Sequence, residues 1–310
     1  MKLYAPRYYK SFKCIADKCT HSCCIGWEID IDEDTLAKYA SFTNGYGLKI
    51  NQSIDLEDTP HFRLKADDRC PHLNKNGLCD IITNMGEENL CDICREHPRF
   101  YNDTARGKEV GIGMACEEAC RIILTSDDYD KFTEVGEEDG ETEQFEFDAI
   151  AERERIYTVL SDRSIPYTER LAALYNRYDA SPALLSDIEW RNVIDSLEFL
   201  DGSHKELFLK FTSDTPVAKE IEPFLERALA YFIFRHCSHA CDNADFLARL
   251  GFCLFCERLM ASIINAEDVK QLHDTIRLSR IISEEIEYSE DNTESIVWEF
   301  GFKQSLNAID

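Results

Sequence analysis

Apolar residues recur at helical spacing through most of the second half of the chain. From residue 151 to residue 288 they fall three and four positions apart, the spacing of one helix face. Pro166, Pro182 and Pro223 stand near expected helix starts, where a missing N–H costs little. The pattern predicts a helical bundle with helices at Ala151–Asp162, Tyr167–Tyr178, Ile188–Phe199, Ile221–His236, Ala244–Ile263 and Ala266–Tyr288.

The first 126 residues show few long periodic segments. A short helix is predicted at Asp34–Tyr39, capped by Asp32 or Asp34, and Asn-Gly pairs at 44–45 and 76–77 mark turns. A loop-rich domain of this kind needs another source of stability, and bonds to a metal can replace part of the missing core. The predicted fold class is therefore mainly α, with a loop-rich, cysteine- and metal-stapled N-terminal domain followed by an α-helical bundle.

An acidic segment separates these two patterns. Residues 127–148 hold eleven acids and one base, Lys131, together with Gly136 and Gly140. Charge repulsion and glycine both disfavour packing, so the segment is predicted to be a linker. The sequence thus predicts a cysteine-rich domain at 1–126, a linker at 127–148 and a helical domain at 149–310.

The charge balance narrows the possible partners. The chain has 310 residues and a formal net charge of −26, which disfavours nucleic acid and anionic membranes and favours basic partners. The N-terminal residues lack the apolar core of a signal peptide, and no apolar stretch is long enough to span a bilayer. We therefore expect a cytoplasmic protein with neither a nucleic-acid partner nor a membrane partner.

Cysteine supplies the candidate chemistry. Ten of the 14 cysteines lie in the first 120 residues, and structural disulfides rarely persist in a reducing cytosol. Zinc usually takes four ligands from two C-x2-C pairs, and only Cys91 and Cys94 have that spacing. Adjacent side chains usually diverge, so Cys23 and Cys24 are easier to assign to separate centres. Iron–sulfur ligation tolerates irregular spacing and is favoured, with zinc as the alternative and inert buried thiols as the third interpretation.

A second group of possible ligands lies in the helical half. His236, Cys237, His239 and Cys241 look like ligands, but Cys237 and Cys241 are four residues apart in an apolar helix. Cys253 and Cys256 are three apart in the next helix. Small apolar cysteines on buried helix faces explain this spacing better than a metal site, so all four cysteines are predicted to be core residues.

Two stretches of sequence resemble a known family. The segment PRYYKSFKC…C…SCCIGWEIDID resembles the start of flagellin lysine-N-methylases, which belong to the CxxCxxCC zinc- or iron-chelating proteins. The run CPHLNKNGLCDI…LCDICREHPRF…GKEVGIGMACEEACRIIL looks like a second block of the same family. Cys91 and Cys120 stand outside the family's cysteine positions. Carried over by position, the family's metal-binding cysteines fall on Cys14, Cys19, Cys23, Cys24, Cys70, Cys79, Cys94 and Cys116.

The resemblance implies an activity and its cofactors. It implies N-methylation of lysine ε-amines on flagellin by S-adenosylmethionine, with a cysteine-ligated 4Fe–4S cluster or zinc. Trp27 and Arg99 are our candidates for lining the cofactor site. The chain has no G-x-G-x-x-G opening a βαβ unit and no C-x3-C-x2-C signature, so neither a Rossmann nor a radical enzyme is indicated. The candidate bases that could deprotonate the amine are Glu28, Glu109, Glu118 and Tyr101.

A second function remains open at this point. A metal-binding domain that stores, delivers or senses iron or zinc, or that acts as a scaffold, would use the same cysteines without catalysis. A cofactor pocket beside the cysteines would favour the methylase, and surface metal sites without a neighbouring cavity would favour the binding domain.

Overall fold

The computed structural model describes residues 1–138, 140 and 145–307, and the chain divides into two compact units. The smaller unit is the continuous segment Lys13–Arg99. The larger unit combines Met1–Phe12 with the chain from Phe100 onward. The proposed domain boundaries at 126 and 149 stay a prediction. Within the acidic segment predicted to be a linker, residues 139 and 141–144 lie outside the described residues, and Phe132–Glu137 forms a strand.

The elements follow one another in a mostly helical order. The strands are β1 (Lys2–Pro6), β2 (Ile54–Asp55), β3 (His61–Phe62), β4 (Arg99–Thr104), β5 (Gly107–Ile112) and β6 (Phe132–Glu137). The helices are α1 (Glu33–Ala40), α2 (Gly45–Gln52), α3 (Asp80–Met85), α4 (Asp92–Glu96), α5 (Glu117–Thr125), α6 (Ala149–Leu160), α7 (Tyr167–Tyr178), α8 (Asp187–Ser196), α9 (Lys205–Phe208), α10 (Glu222–Cys237), α11 (Asn243–Ala266), α12 (Leu272–Ile282) and α13 (Glu290–Asn307). The prediction of a mainly α protein is confirmed.

The smaller unit has short elements and a small core. Helices α1 to α4 and the two-stranded β2–β3 ladder enclose it. Asp32 caps α1, as one of the two sequence alternatives predicted, by accepting a hydrogen bond from the Thr35 N–H at 2.8 Å. The buried apolar residues are Ile29, Ile31, Tyr39, Ile50, Ile54, Phe62, Leu73 and Ile81, with the thiols of Cys70 and Cys91 among them.

The larger unit begins with a four-stranded sheet that the sequence pattern did not predict. The strand order is β4-β5-β1-β6, with β1 parallel to β5 and antiparallel to β6. These strands have only five or six residues, and β4 and β6 follow cysteine-rich segments. The alternation of apolar and polar residues that marks a strand is therefore hard to recognise in the sequence. The sheet joins the N-terminal strand to residues more than 100 positions later, since Leu3 pairs with Lys108.

The helices of the larger unit surround α11. Nearly every residue of α11 from Phe246 to Ile264 is buried, as expected for a helix that is apolar on all sides. The predicted helices at 151–162, 167–178, 188–199, 221–236 and 244–263 correspond to α6, α7, α8, α10 and α11. No helix within the described residues is both long and apolar enough to cross a bilayer.

Two helical predictions need correction near the C-terminus. The single helix predicted at Ala266–Tyr288 is interrupted, because Asp268 takes a positive φ of 51° and α12 starts only at Leu272. It then ends in a π-helical turn at Ser283–Glu287. Helix α13 was not predicted, because its buried Ile296 and Phe300 are spaced for a helix but are separated by polar residues.

The prediction that the four C-terminal cysteines are core residues is right for three of them. Cys237, Cys253 and Cys256 are fully buried, and the Sγ atoms of Cys237 and Cys253 lie 3.7 Å apart. Cys241 is exposed, so the prediction is wrong there. The physical reason is that α10 ends at Cys237, which leaves Cys241 beyond the helix rather than one turn along its buried face.

A buried ion pair joins the sheet to the helices. The Nη1 and Nη2 atoms of Arg153 on α6 each donate to a carboxylate oxygen of Glu109 on β5 at 2.7 Å. The guanidinium also donates to Ser238 Oγ and lies 4.3 Å from the ring centroid of Phe132 on β6. Burial opposes the charge of Arg153, but Glu109 more than offsets it and raises the pKa of the guanidinium.

We expect Glu109→Gln to lower the free energy of unfolding by about 3 kcal/mol, because it leaves the buried guanidinium of Arg153 without a charged partner. The matched control is Glu134→Gln on β6, where an exposed carboxylate pairs with Lys2 and contributes little. Urea unfolding followed by far-UV circular dichroism measures both. Equal midpoints for the two variants would contradict the role given to the buried pair.

Candidate metal centre

The thiols of the smaller unit are brought together by backbone pairing between distant segments. The N–H of Cys70 donates to the carbonyl of Cys24 at 2.8 Å, and Ile25 forms an antiparallel bridge with Arg69. These contacts place the CC pair beside Cys70, which is 46 positions further along the chain. The local sequence permits this because Gly26, at φ 92°, turns the chain after the pair.

A tight turn returns the chain from Cys70 to Cys79. The side chain of Asn74 accepts hydrogen bonds from the N–H groups of Asn76 and Leu78, at 2.9 and 3.1 Å. Gly77 supplies the positive φ that the turn needs, and Leu73 then pairs with Cys79 in an antiparallel bridge. Cys79 is thereby held at the N-terminus of α3.

Cys91 and Cys94 form a third arm of the site. Cys91 is the N-cap residue of α4 and Cys94 lies one turn into that helix. The two thiols interact electrostatically, which lowers the pKa of Cys91 and raises that of Cys94. Spacing of C-x2-C at the start of a helix therefore places two sulfur atoms on one side of the backbone.

The adjacent cysteines Cys23 and Cys24 interact with each other. The Cys23 thiol lowers the pKa of Cys24 to about 7, although burial opposes this shift. The indole N–H of Trp27 donates to the carbonyl of Cys23 at 2.8 Å and braces the same turn. The assignment of Cys23 and Cys24 to separate centres stays a prediction.

These contacts define a thiol cluster of Cys23, Cys24, Cys70, Cys79, Cys91 and Cys94. Its members interact electrostatically: Cys24 and Cys79 act on Cys70, while Cys91, Cys24 and Cys70 act on Cys94. Burial raises the pKa of Cys70 to about 12, and burial also raises that of Cys79.

The donor set fits a sulfur-ligated centre. The chain's cysteines are all free thiols, and thiolate sulfur is the ligand preferred by iron–sulfur clusters and by structural zinc. Within residues 1–138, 140 and 145–307, no three His, Cys, Asp or Glu side chains stand in the arrangement of a formed metal-ion site. The fit therefore lies in the identity of the donors.

A carboxylate and a phenol fix the position of the Cys91–Cys94 arm. One oxygen of Asp32 caps α1, and the other accepts the N–H of Asp92 at 2.8 Å. The hydroxyl of Tyr39, on α1, donates to the carbonyl of Asn89 at 2.6 Å in a buried contact. Helix α1 is thus tied twice to the segment that starts α4.

The buried histidine of this unit is not an additional ligand. Both ring nitrogens of His72 are engaged, Nδ1 with the Tyr46 hydroxyl at 2.9 Å and Nε2 with Ser53 Oγ at 3.0 Å. Burial lowers the pKa of His72 to about 4, so the ring is neutral at physiological pH. Phe62 contacts the ring edge-on at a centroid distance of 4.7 Å, as in an ordinary packed core.

The other sequence-predicted site residues lie in several places. Cys14 is exposed and accepts a hydrogen bond from the Ala16 N–H at 3.4 Å, while the half-buried Cys19 donates to the carbonyl of His21. Cys116 belongs to the larger unit, as the N-cap residue of α5. Arg99 closes the smaller unit and donates to the carbonyl of Arg95 at 3.2 Å.

Two open cavities lie in the larger unit. One, of about 580 Å³, is lined by Val193, Arg249, Glu294, Trp298 and neighbouring residues. The other, of about 380 Å³, is lined by Tyr101, Asn102, Asp103, Phe145 and His239. Their lining includes none of the residues of the thiol cluster.

Fold and site together define a mainly helical protein with a cluster of free thiols in a small unit. Comparison with curated proteins finds relatives for part of this chain. It is 26% identical over 130 residues to the flagellar biosynthetic protein FliU of Salmonella muenchen, covering 40% of this chain and 77% of that protein. It has the same identity over the same length to the lysine-N-methylases of Salmonella typhimurium and Salmonella choleraesuis.

The match covers only part of the larger relatives. It takes in 40% of this chain and 32% of each lysine-N-methylase, so this chain spans about a third of their length. No protein-family model matches the chain, and no solved structure matches it. The comparisons thus support a distant relationship to proteins with lysine-N-methylase and flagellar names.

We expect Asp32→Ala to lower stability by about 1 to 2 kcal/mol, because it removes a helix cap and leaves the Asp92 N–H without its acceptor. Hydrogen exchange should then accelerate in a peptide covering residues 87–96, sixty positions away in sequence. Asp34→Ala, an exposed substitution in the same helical turn, is the control and should leave that peptide unchanged.

The same contact should make stability depend on pH. Burial works against the ionised form of Asp32, but the Asp92 and Thr35 N–H groups more than offset it, so its pKa lies below the usual value. Its contribution is therefore complete above the usual carboxyl pKa of about 3.9 and is lost as pH falls through the lowered folded value. An Asp32→Ala difference that persists undiminished below both values would contradict this assignment.

Proposed function

We propose that this chain takes part in the N-methylation of lysine ε-amines on flagellin, with S-adenosylmethionine as the methyl donor. The observation that carries the proposal is the similarity over 130 residues to two proteins named lysine-N-methylase and to a flagellar biosynthetic protein. The thiol cluster supports it, because the sequence motifs that resemble flagellin lysine-N-methylases are the segments that contain these cysteines.

The proposed reaction sets a clear requirement on the protein. A lysine amine has a pKa of about 10.4, so at pH 7 the neutral nucleophile is disfavoured by roughly 4.6 kcal/mol. The cofactor supplies, when bound, a methyl group on a positively charged sulfur. This chain must desolvate the ammonium or accept its proton before the nitrogen can form the new N–C bond.

The structure narrows the choice of proton acceptor. Glu109 is held by the buried Arg153, and both oxygens of Glu118 accept hydrogen bonds from Arg121 at 2.6 and 2.7 Å. The half-exposed Tyr101 has Lys108 over its ring. Glu28 is more than half exposed, 3.3 Å from His61, and adjoins Trp27, so we propose Glu28 as the base.

Trp27 and Arg99 are proposed to line the cofactor site in the smaller unit. The ring of Trp27 is half-buried, with its centroid 6.4 Å from that of His97. An indole face suits a sulfonium or an ammonium through cation–π attraction. Because the Trp27 N–H also braces the carbonyl of Cys23, the residue connects the proposed cofactor site to the thiol cluster.

An iron–sulfur centre held by the thiol cluster is part of the proposal, with zinc as the alternative metal. The thiolates would hold it, and such a centre supplies, when bound, a cross-link that a small apolar core cannot provide. Cys14, Cys19 and Cys116 are retained as proposed ligands on the resemblance alone. In this proposal, backbone contacts of the smaller unit bring the cysteines together. The hydrogen bonds of Tyr46 and Ser53 to the two ring nitrogens keep His72 from being a ligand.

The charge of the protein supports a basic partner. With a formal net charge of −26, the protein attracts a locally lysine-rich surface and repels an acidic one. An exposed lysine-rich surface on flagellin meets this condition. The interaction should weaken with added salt, since exposed charges are screened over about 8 to 10 Å at physiological ionic strength.

A non-enzymatic metal-binding domain is the alternative function. The specific observation in its favour is that the two cavities described above have no thiol-cluster residue in their lining. Storage, sensing or scaffolding would need the thiols but neither Glu28 nor the face of Trp27. The two proposals therefore differ in what those two side chains do.

We expect Trp27→Ala to lower the rate of flagellin methylation about tenfold or more, because it removes the proposed cofactor-facing indole and the brace on Cys23. Purified protein, reconstituted with iron and sulfide, is incubated with flagellin and S-adenosylmethionine, and methyl increments on lysine are counted by mass spectrometry. Trp298→Ala, at an exposed tryptophan of the larger unit, is the matched control. No methylation by fully metallated wild type would favour the binding-domain alternative.

We expect Glu28→Gln to lower kcat by about a hundredfold with little change in stability, because the amide cannot accept the lysine proton. Glu33→Gln, an exposed glutamate at the start of α1, serves as control. Raising the pH should partly rescue the Glu28 variant, since more of the amine is then neutral. A variant with wild-type kcat would remove Glu28 from the mechanism.

A further inference from the structure

Cys91 occupies an unusual position among the thiols outside the predicted ligand set. It is only 1% exposed, and it starts α4 as the N-cap residue, three positions before Cys94. Its backbone is fixed on both sides. Asn89, two residues before it, receives the Tyr39 hydroxyl, and Asp92, directly after it, donates to Asp32. The sulfur is therefore held in one place within the thiol cluster.

Cys120, the other additional cysteine of the N-terminal block, is in a different setting. It is fully buried on the apolar face of α5, in the core of the larger unit. Its thiol donates to the carbonyl of Ile276 on α12 at 3.6 Å, a hydrogen bond typical of a packed core cysteine. Among its neighbours, Ala119, Ile122 and Ile123 are apolar and buried.

The groups that could replace Cys91 as a donor are already engaged. Both carboxylate oxygens of Asp32 accept backbone N–H groups, and both nitrogens of His72 are hydrogen-bonded to hydroxyl groups. The hydroxyl of Tyr39 donates a hydrogen bond to the carbonyl of Asn89. The sulfur atoms of Cys91 and Cys94 are therefore the donors that this part of the unit offers to a metal.

We propose that Cys91 is a metal ligand and forms with Cys94 a two-thiolate arm of the centre, whereas Cys120 is not a ligand. The inference rests on the proposed metal centre, which it extends to a residue outside the eight positions that the family resemblance implies. On binding, Cys91 and Cys94 coordinate as thiolates, and each thiol releases its proton to solvent as its S–H bond is replaced by a metal–sulfur bond.

The substitution that tests this arm should leave the fold intact. Serine is among the best N-cap residues, so Cys91→Ser keeps or improves the start of α4 while removing a sulfur donor. The three variants to compare are Cys91→Ser, Cys94→Ser as the positive control and Cys120→Ser as the core control. Far-UV circular dichroism and hydrogen exchange of the peptide at residues 87–96 check that each remains folded.

Cobalt(II) is the probe for the ligands themselves. Its charge-transfer absorption from thiolate sulfur scales with the number of coordinating sulfurs, and it reports coordination without any assay of methylation. We expect the Cys91→Ser and Cys94→Ser proteins to lose absorption in equal measure relative to wild type. Cys120→Ser should match wild type. Metal release to a chelator should be at least tenfold faster for the first two variants, since a lost ligand typically costs that much affinity or more.

The outcomes separate this inference from the proposed function. Wild-type cobalt absorption and chelator release in folded Cys91→Ser would overturn it while leaving the metal centre in place. A wild-type protein that binds neither cobalt, zinc nor iron would overturn both the centre and the arm. An air-formed disulfide between Cys91 and Cys94 that persists in the presence of metal would identify a redox dithiol and overturn the ligand assignment.

Discussion

The buried pair of Glu109 and Arg153 is the interaction on which the larger unit depends. It joins strand β5 to helix α6 and, through Ser238, to the end of α10. Charges without solvent must have fixed partners, so the geometry of this pair limits how the sheet can rest on the helices. Similar buried pairs, Glu226 with Arg170 and Glu257 with Arg258, recur among the helices. Three of the buried arginines of this acidic chain thus have a buried glutamate as their partner.

In the smaller unit, individual hydrogen bonds join the elements in the way that buried ion pairs do in the larger unit. Its apolar core is small, and thiols occupy part of it. Asp32 and Tyr39 connect α1 to the start of α4, so that the cysteines of three chain segments converge. The backbone contacts that hold these cysteines are made by groups other than the sulfurs. The proposed methylase and the proposed metal-binding domain would both use thiols positioned in this way.

The sequence predicted the elements that form from a pattern of residues close together in the chain. The 3.6-residue period located most helices of the second half, and the Asp32 cap was one of two alternatives for α1. The four-stranded sheet was missed because its strands are short and its pairing is between residues far apart in sequence. For the candidate site, cysteine density indicated a region that stays a prediction, and the turn at Gly26 with its hydrogen bond from Trp27 to Cys23 follows from no spacing rule. The ordinary core role of His72 likewise depends on Tyr46 and Ser53, which no local pattern connects to it.

The smaller unit interrupts the larger one in sequence, and this has a consequence for synthesis on the ribosome. Strand β1 is made first, yet its partners β5 and β6 lie more than 100 residues later. At about 5 to 20 residues per second, β1 waits roughly 5 to 20 seconds for β5 to be made. During that interval the whole of Lys13–Arg99 is translated as one continuous piece. The nascent chain therefore completes its cysteine-bearing insert before β1 can pair with β5 and β6.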